Sequence, residues 1–181
     1  VYRAVDVTLE REVAVKLINP DLRNDAEFDV RFQREARIAS QLSDPHIIVV
    51  HDFGIDPTYG PFLVMEFLQG QSLRERLQSE GPLQLKAGLQ LSAQLLLALI
   101  HAHGKNIVHR DIKPDNIFLL NQSGVRLHTR VLDFGIARIF RRDEPGKAET
   151  LTSPGAVLGT PRYMSPEQLA GQPVDARSDL Y

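Results

Sequence analysis

The 181-residue sequence contains no cysteine. That removes disulfide frameworks, thiolate zinc sites and cysteine nucleophiles together. It also lacks any basic excess. A formal net charge of −2 offers no field to attract a phosphate backbone, so nucleic acid is not an expected partner. An anionic ligand would have to be held by individually placed residues. Long apolar runs are missing too. The longest, Leu95 to Ile100, falls far short of the roughly 20 residues of a membrane-spanning helix. No membrane contact and no secretion signal are therefore expected of this segment, and a cytoplasmic location is the default. Repeats and low-complexity tracts are likewise absent. Against these absences stand 43% hydrophobic and 24% charged residues, the composition of a packed globular chain. The length suits one sizeable core or two small lobes. The chain begins at Val1 and stops at Asp179-Leu180-Tyr181 without a cap or polar tail, so both ends read as cuts from a longer parent.

Short strand-like patterns open the chain. Val1 to Val5 and Val13 to Ile18 flank a polar turn around Asp6 to Arg11, which predicts a hairpin. Alternation in the second strand sets Val13, Val15 and Leu17 on one face and Ala14 with Lys16 on the other. Between Asn24 and Leu42, Phe28, Phe32, Ala39 and Leu42 mark the apolar stripe of a helix, with Glu35 inside it. Two further strands are expected over His46–Ile55 and Phe62–Phe67, before Gln69-Gly70-Gln71 interrupts the pattern. Beyond this point the character becomes helical, with a short helix over 72–78 and a long Leu/Ala-rich one over 85–103. Ile107-Val108, Ile117–Leu120 and Arg130–Leu132 are brief apolar pieces. Residues 141–156 read as a charged loop. His101 and His103 read as helix-end residues rather than metal ligands.

Chemistry concentrates in two places. His109-Arg110-Asp111-Ile112-Lys113-Pro114-Asp115-Asn116 gathers acids, cations and an amide between apolar pieces, as loops that carry function do. Seventeen residues after Asn116 comes Asp133-Phe134-Gly135, where a carboxylate follows a short strand and glycine lets the chain turn. Asp133 and Asn116 supply hard oxygen ligands suited to magnesium. Glu35, placed in an apolar stripe, demands a cationic partner.

In this order and at these separations, the set resembles the eukaryotic-like protein kinases, in their bacterial Ser/Thr branch. The resemblance implies that Lys16, on Val13-Ala14-Val15-Lys16, reaches the α- and β-phosphates of ATP and that Glu35 holds it. It implies a hinge at Met65-Glu66-Phe67-Leu68, where backbone groups of Glu66 and Leu68 meet adenine and Met65 lines the pocket. Val1, Ala14 and Phe118 are implied further nucleotide contacts. Asp111 is implied as the catalytic base, Lys113 as the contact to the transferring phosphate, and Asn116 and Asp133 as ligands of Mg2+, with Mn2+ as a substitute. Arg110 implies regulation through an activation segment in which Thr150, Thr152 and Ser153 are the candidate phosphate acceptors. Gly159 to Glu167 resembles the end of that segment, with Ser165 where the family usually has alanine. Asp179 matches an aspartate that ties down the catalytic-loop backbone.

The implied architecture is α+β and two-lobed: a small β-rich lobe with one regulatory helix over 1–68, and a larger, mainly helical lobe over 69–181. Both are incomplete, since the family's glycine-rich loop would precede Val1 and its later helices would follow Tyr181. A segment cut in this way is expected to be weakly active or inactive alone. The implied partners are ATP, protein substrates and, for trans-autophosphorylation, a second copy of the chain. The parent is expected to be cytoplasmic, or membrane-anchored with a cytosolic kinase domain. Two alternatives stand beside this reading: a pseudokinase that binds nucleotide or partners without catalysis, and a small-molecule phosphotransferase of the aminoglycoside kinase type. The second lacks the Gly159 to Glu167 stretch.

Overall fold

The computed structural model describes residues 1–18, 28–121, 127–134 and 161–181. The expected hairpin forms from β1 (Tyr2–Asp6) and β2 (Arg11–Leu17), antiparallel from Tyr2 opposite Val15 to Asp6 opposite Arg11. Its turn is closed by the Asp6 carboxylate, whose Oδ1 accepts the backbone N–H groups of Thr8 and Leu9, each at 3.1 Å. This is how aspartate stabilises a reversal without glycine. The far edge of β2 pairs with β4 (Gly60–Glu66), which in turn pairs with β3 (Val50–Asp56). The sheet order is β1-β2-β4-β3.

Helix α1 (Phe28–Ser40) buries Phe28, Phe32, Glu35, Ala36 and Ala39, a row at helical spacing. Phe28, Phe32 and Ala36 join Ile18, Ile48, Leu63 and Met65 of the sheet side in one core. The predicted first turn of this helix, residues 24–27, lies outside the described residues.

A second sheet was not predicted. β5 (Gly70–Ser72), β6 (Ile117–Leu120) and β7 (Thr129–Val131) form an antiparallel sheet in that order. Gly70 and Gln71, which read as part of an interruption, and Ser72, which reads as the start of a helix, thus form a strand. Gly70 is required there, because a Cβ would sit 1.9 Å from the carbonyl oxygen of Leu119.

Helices α2 (Leu73–Glu80) and α3 (Leu85–His103) follow the predicted positions closely. Ala98, Leu99 and Ala102 of α3 pack with Leu42, Ile47, Ile107, Val131 and Phe134 in a second core, so Ile107 is a core residue and not part of a strand. The opposite face of α3 exposes Leu85, Leu89, Leu96, Leu97 and Ile100. Counted over the whole helix rather than an unbroken run, α3 is long and apolar enough to cross a bilayer by length and composition. Here its buried face serves as core. The chain ends with a 3-10 turn over Pro161–Tyr163, α4 (Pro166–Leu169) and a 3-10 turn over Ala176–Leu180.

The two sheets are stitched together by the segment before β3. Ile47 bridges Val131 in parallel, Ile48 donates its N–H to the Val131 carbonyl at 3.0 Å, and the Val131 N–H reaches the His46 carbonyl at 2.8 Å. These bonds hold β7, and the residues that follow it, beneath the four-stranded sheet.

Candidate active site

Register is what brings the polar residues together. Ile117 lies opposite Val131 in the β6/β7 pair, and the Leu132 N–H donates to the Asn116 carbonyl at 2.9 Å. Asn116 therefore flanks the strand that delivers Asp133. Asp133 itself has a φ of 62°, a left-handed conformation that few non-glycine residues adopt. From there its Oδ2 meets the Lys16 ammonium at 2.6 Å, across 117 residues of sequence. Both side chains remain about a quarter exposed, at 24% and 25%, so the pair lines an accessible cleft rather than the core.

This pairing differs from the sequence expectation. Among the described residues, the ion pair of Lys16 is with Asp133 and not with Glu35. Glu35 is buried on α1, at 7% exposure, among the apolar residues of that helix. The physical reason is delivery: the left-handed turn at Asp133 carries its carboxylate onto Lys16.

The loop before β6 is organised around Asp111. Its Oδ2 accepts from the Lys113 ammonium at 2.7 Å and from the Asn116 amide at 2.9 Å, while the same amide nitrogen donates to the Asp111 carbonyl at 2.8 Å. Asn116 is buried within a 3-10 turn (Pro114–Asn116). Its nitrogen is committed to Asp111, which leaves its amide oxygen as the available ligand. Lys113, Asp111, Asn116 and Asp133 are thus placed by one short stretch of paired backbone.

His109 is the pivot of this loop and is fully buried. Its Nε2 lies 2.7 Å from the Leu132 carbonyl, and its Nδ1 lies 3.2 Å from the Asp111 N–H. A carbonyl can only accept and an amide only donate, so the ring is neutral with its proton on Nε2. Burial pushes its pKa below the usual imidazole value, against the opposing carboxylates of Asp179, Asp133 and Asp111. The ring also meets Phe134 edge-on, centroids 4.6 Å apart. Asp179 clamps the same loop from the far end of the chain, with a side chain only 1% exposed. Its carboxylate accepts the backbone N–H groups of His109 at 2.8 Å and Arg110 at 2.7 Å, and lies 2.7 Å from Nε2 of His103. His103 is therefore more than a helix-end residue. Among the described residues no cluster of three metal-ligating side chains forms.

At the other wall, Met65 is buried and lies opposite Ala14 in the β2/β4 pair. A narrow apolar cavity beside it is lined by Ala39, Ile48, Leu63, Met65, Asp133 and Phe134. Leu68 and Phe118 are partly buried and Val1 is exposed. Glu66 does more with its side chain than sequence reasoning anticipated. Its Oε1 accepts the Val49 N–H at 3.0 Å and faces Nε of Arg130 at 3.1 Å.

Three other contacts were missed by pattern reading. Arg74 of α2 reaches Oδ1 of Asp115 at 2.6 Å and lies over the Tyr163 ring. Gln168 donates to the Arg110 carbonyl at 2.7 Å. Glu167 accepts from the Ser178 hydroxyl, which holds its carboxyl below the usual range. Only Gln168 leaves a local sign, the Ser-x-x-Gln spacing of a capping box. Gly135, Gly159, Thr160, the charged residues Arg141 to Glu144 and the candidate acceptors Thr150, Thr152 and Ser153 lie outside the described residues.

The family model described as "Protein kinase domain" matches residues 1–181. The chain is 45% identical over 184 residues to the "Probable serine/threonine-protein kinase SCO3848" of Streptomyces coelicolor, covering 100% of this chain and 26% of that protein. It is 42% identical to the serine/threonine-protein kinase PknB of Mycobacterium tuberculosis, covering 28% of it. The chain thus spans about a quarter of the length of these relatives. Among solved structures it resembles the PknI kinase domain of Mycobacterium tuberculosis, with a TM-score of 0.69 at 30% identity, covering 93% of this chain and 58% of that one. With its two-sheet α+β fold and its polar loop beneath Lys16, the chain belongs to the protein kinase domain family.

Proposed function

We propose that the protein carrying this chain is a serine/threonine kinase that moves the γ-phosphoryl group of ATP to protein hydroxyls. The observation that carries this reading is the meeting of Lys16 and Asp133 at 2.6 Å, next to an Asn116 that is tied to Asp111. Phosphoryl transfer asks the protein mainly for positioning and charge neutralisation, and this is a set of charges with no other evident use.

In this reading Lys16 holds the α- and β-phosphates. Adenine lies against Val1, Ala14, Met65 and Phe118 and meets the backbone of Glu66 and Leu68. The Asn116 amide oxygen and the Asp133 carboxylate fit a divalent cation of the Mg2+ class, which would supply charge neutralisation at the phosphates. Asp111 orients the incoming hydroxyl. Its Oδ1 carries no hydrogen bond among the described residues, so it is the oxygen that takes the proton. The hydroxyl oxygen bonds to the γ-phosphorus as the bond to the β–γ bridging oxygen breaks, and ADP leaves. Lys113 steadies the transferring group. A division into lobes at 1–68 and 69–181 places this cleft between them.

The same reading extends to regulation. Phosphorylation of Thr150, Thr152 or Ser153 by a second copy of the chain, sensed by Arg110, would switch the site, in a cytoplasmic or membrane-anchored parent. The test is Asp111→Asn in the intact protein, followed by mass spectrometry of autophosphorylation and by transfer to a protein substrate. Transfer is expected to fall by roughly 10²–10⁴-fold. Undiminished labelling would remove Asp111 from the role of base.

A further inference from the structure

Arg110, the residue before the proposed base, has a φ of 69°. A side-chain-bearing residue in this region is strained and persists only where its surroundings hold it. Two side chains do so, one at each end of the residue. Asp179 accepts the Arg110 N–H at 2.7 Å. Gln168 donates its amide nitrogen to the Arg110 carbonyl, also at 2.7 Å.

Gln168 is built into its place. It is 4% exposed, and its neighbour Ser165 is fully buried. Its Oε1 accepts the Ser165 N–H at 3.0 Å, while the Ser165 hydroxyl faces the Gln168 N–H at 3.4 Å. The carboxamide is therefore held by α4 at its oxygen and spends its nitrogen on the loop 58 residues away. That carbonyl belongs to the peptide unit that leads directly into Asp111.

We propose that Gln168 is a positioning residue for phosphoryl transfer: by fixing the Arg110–Asp111 peptide unit it sets the direction in which Asp111 presents its carboxylate. The proposal rests on the kinase reading above. It couples the 165–169 segment to the base through one hydrogen bond, so displacement of α4 would misdirect Asp111 without touching nucleotide.

The informative variant is Gln168→Glu in the intact protein. It keeps the shape and the acceptor for the Ser165 N–H, but replaces the donor to Arg110 with an oxygen. The expected result is a kcat lower by roughly tenfold or more, with KM for ATP changed by less than about twofold. Hydrogen exchange in the 107–113 peptide should be faster than in the wild type. Ser165→Ala removes the hydroxyl half of the cap and spares the bond to Arg110, so its kcat should stay within about twofold of wild type. Should a buried carboxylate unfold the protein, Gln168→Met, of the same length and uncharged, removes the donor to Arg110 together with the acceptor for the Ser165 N–H, and it is read against Ser165→Ala by the same kcat and exchange measurements. Wild-type kcat and wild-type exchange in the Gln168 variants would overturn the proposal, as would a Ser165→Ala loss equal to theirs. A wild-type protein without transferase activity would sink the kinase reading instead, and the exchange comparison would still decide the clamp.

Discussion

His109 shows how much one buried side chain can organise. Both ring nitrogens are committed, one to a carbonyl and one to an amide, an arrangement that imidazolium cannot make because it has no acceptor. Burial is the largest influence on its pKa and lowers it. As pH falls through the ordinary imidazole value of about 6.5, the unfolded chain takes up a proton that the folded chain refuses. Stability therefore rises with pH across this window and is lost below it. Urea unfolding at about pH 7.5 and about pH 5.5 should find that the wild type loses more stability on acidification than His109→Gln. Equal losses would mean that the ring is protonated in place. The sequence marks His109 as part of a polar cluster, yet its tautomer follows from a carbonyl 23 residues away.

At the scale of elements, Ser72 does two jobs at one boundary. It is the last residue of β5, paired with Phe118, and the N-cap of α2, where its hydroxyl accepts the Glu75 N–H at 3.1 Å and the Glu75 carboxylate accepts the Ser72 N–H at 2.7 Å. This reciprocal box satisfies two helix-end donors. Ser72→Ala should lower the unfolding free energy by about 1 kcal/mol, read by chemical denaturation, and should loosen the α2 turn that carries Arg74. A change within experimental error would mean that water replaces the cap. The helices were legible because a period of 3.6 repeats along neighbouring residues: α3 runs over the predicted span, and the α1 row falls where the stripe places it. β5 was not legible, since three small or polar residues carry no alternation. Its partner, Leu119 opposite Gln71, is what makes it a strand.

Over the whole molecule, one of the links between remote segments is charged. Arg74, Asp115 and Tyr163 tie α2, the loop before β6 and the 161–163 turn together. The Arg74 guanidinium holds the Asp115 carboxyl below the usual carboxylate range. A depressed carboxylate stabilises the fold above its ordinary pKa, and that contribution disappears as pH falls below about 4 toward the folded value. Arg74→Met should therefore be less stable than wild type at neutral pH, with the gap closing in acid, as followed by thermal melting. A gap that persists unchanged at low pH would assign the effect to packing on Tyr163. The amino-acid sequence alone determined the chemistry available: which acids, amides and cations exist, and the helical and strand periods that carry them, because these depend on residues a few positions apart. Tertiary structure alone decided who meets whom. Lys16 pairs with Asp133 rather than Glu35, Gln168 reaches Arg110, and Glu66 faces Arg130, because an ion pair or hydrogen bond is chosen by distance in space, and local pattern carries no measure of that distance across a hundred residues.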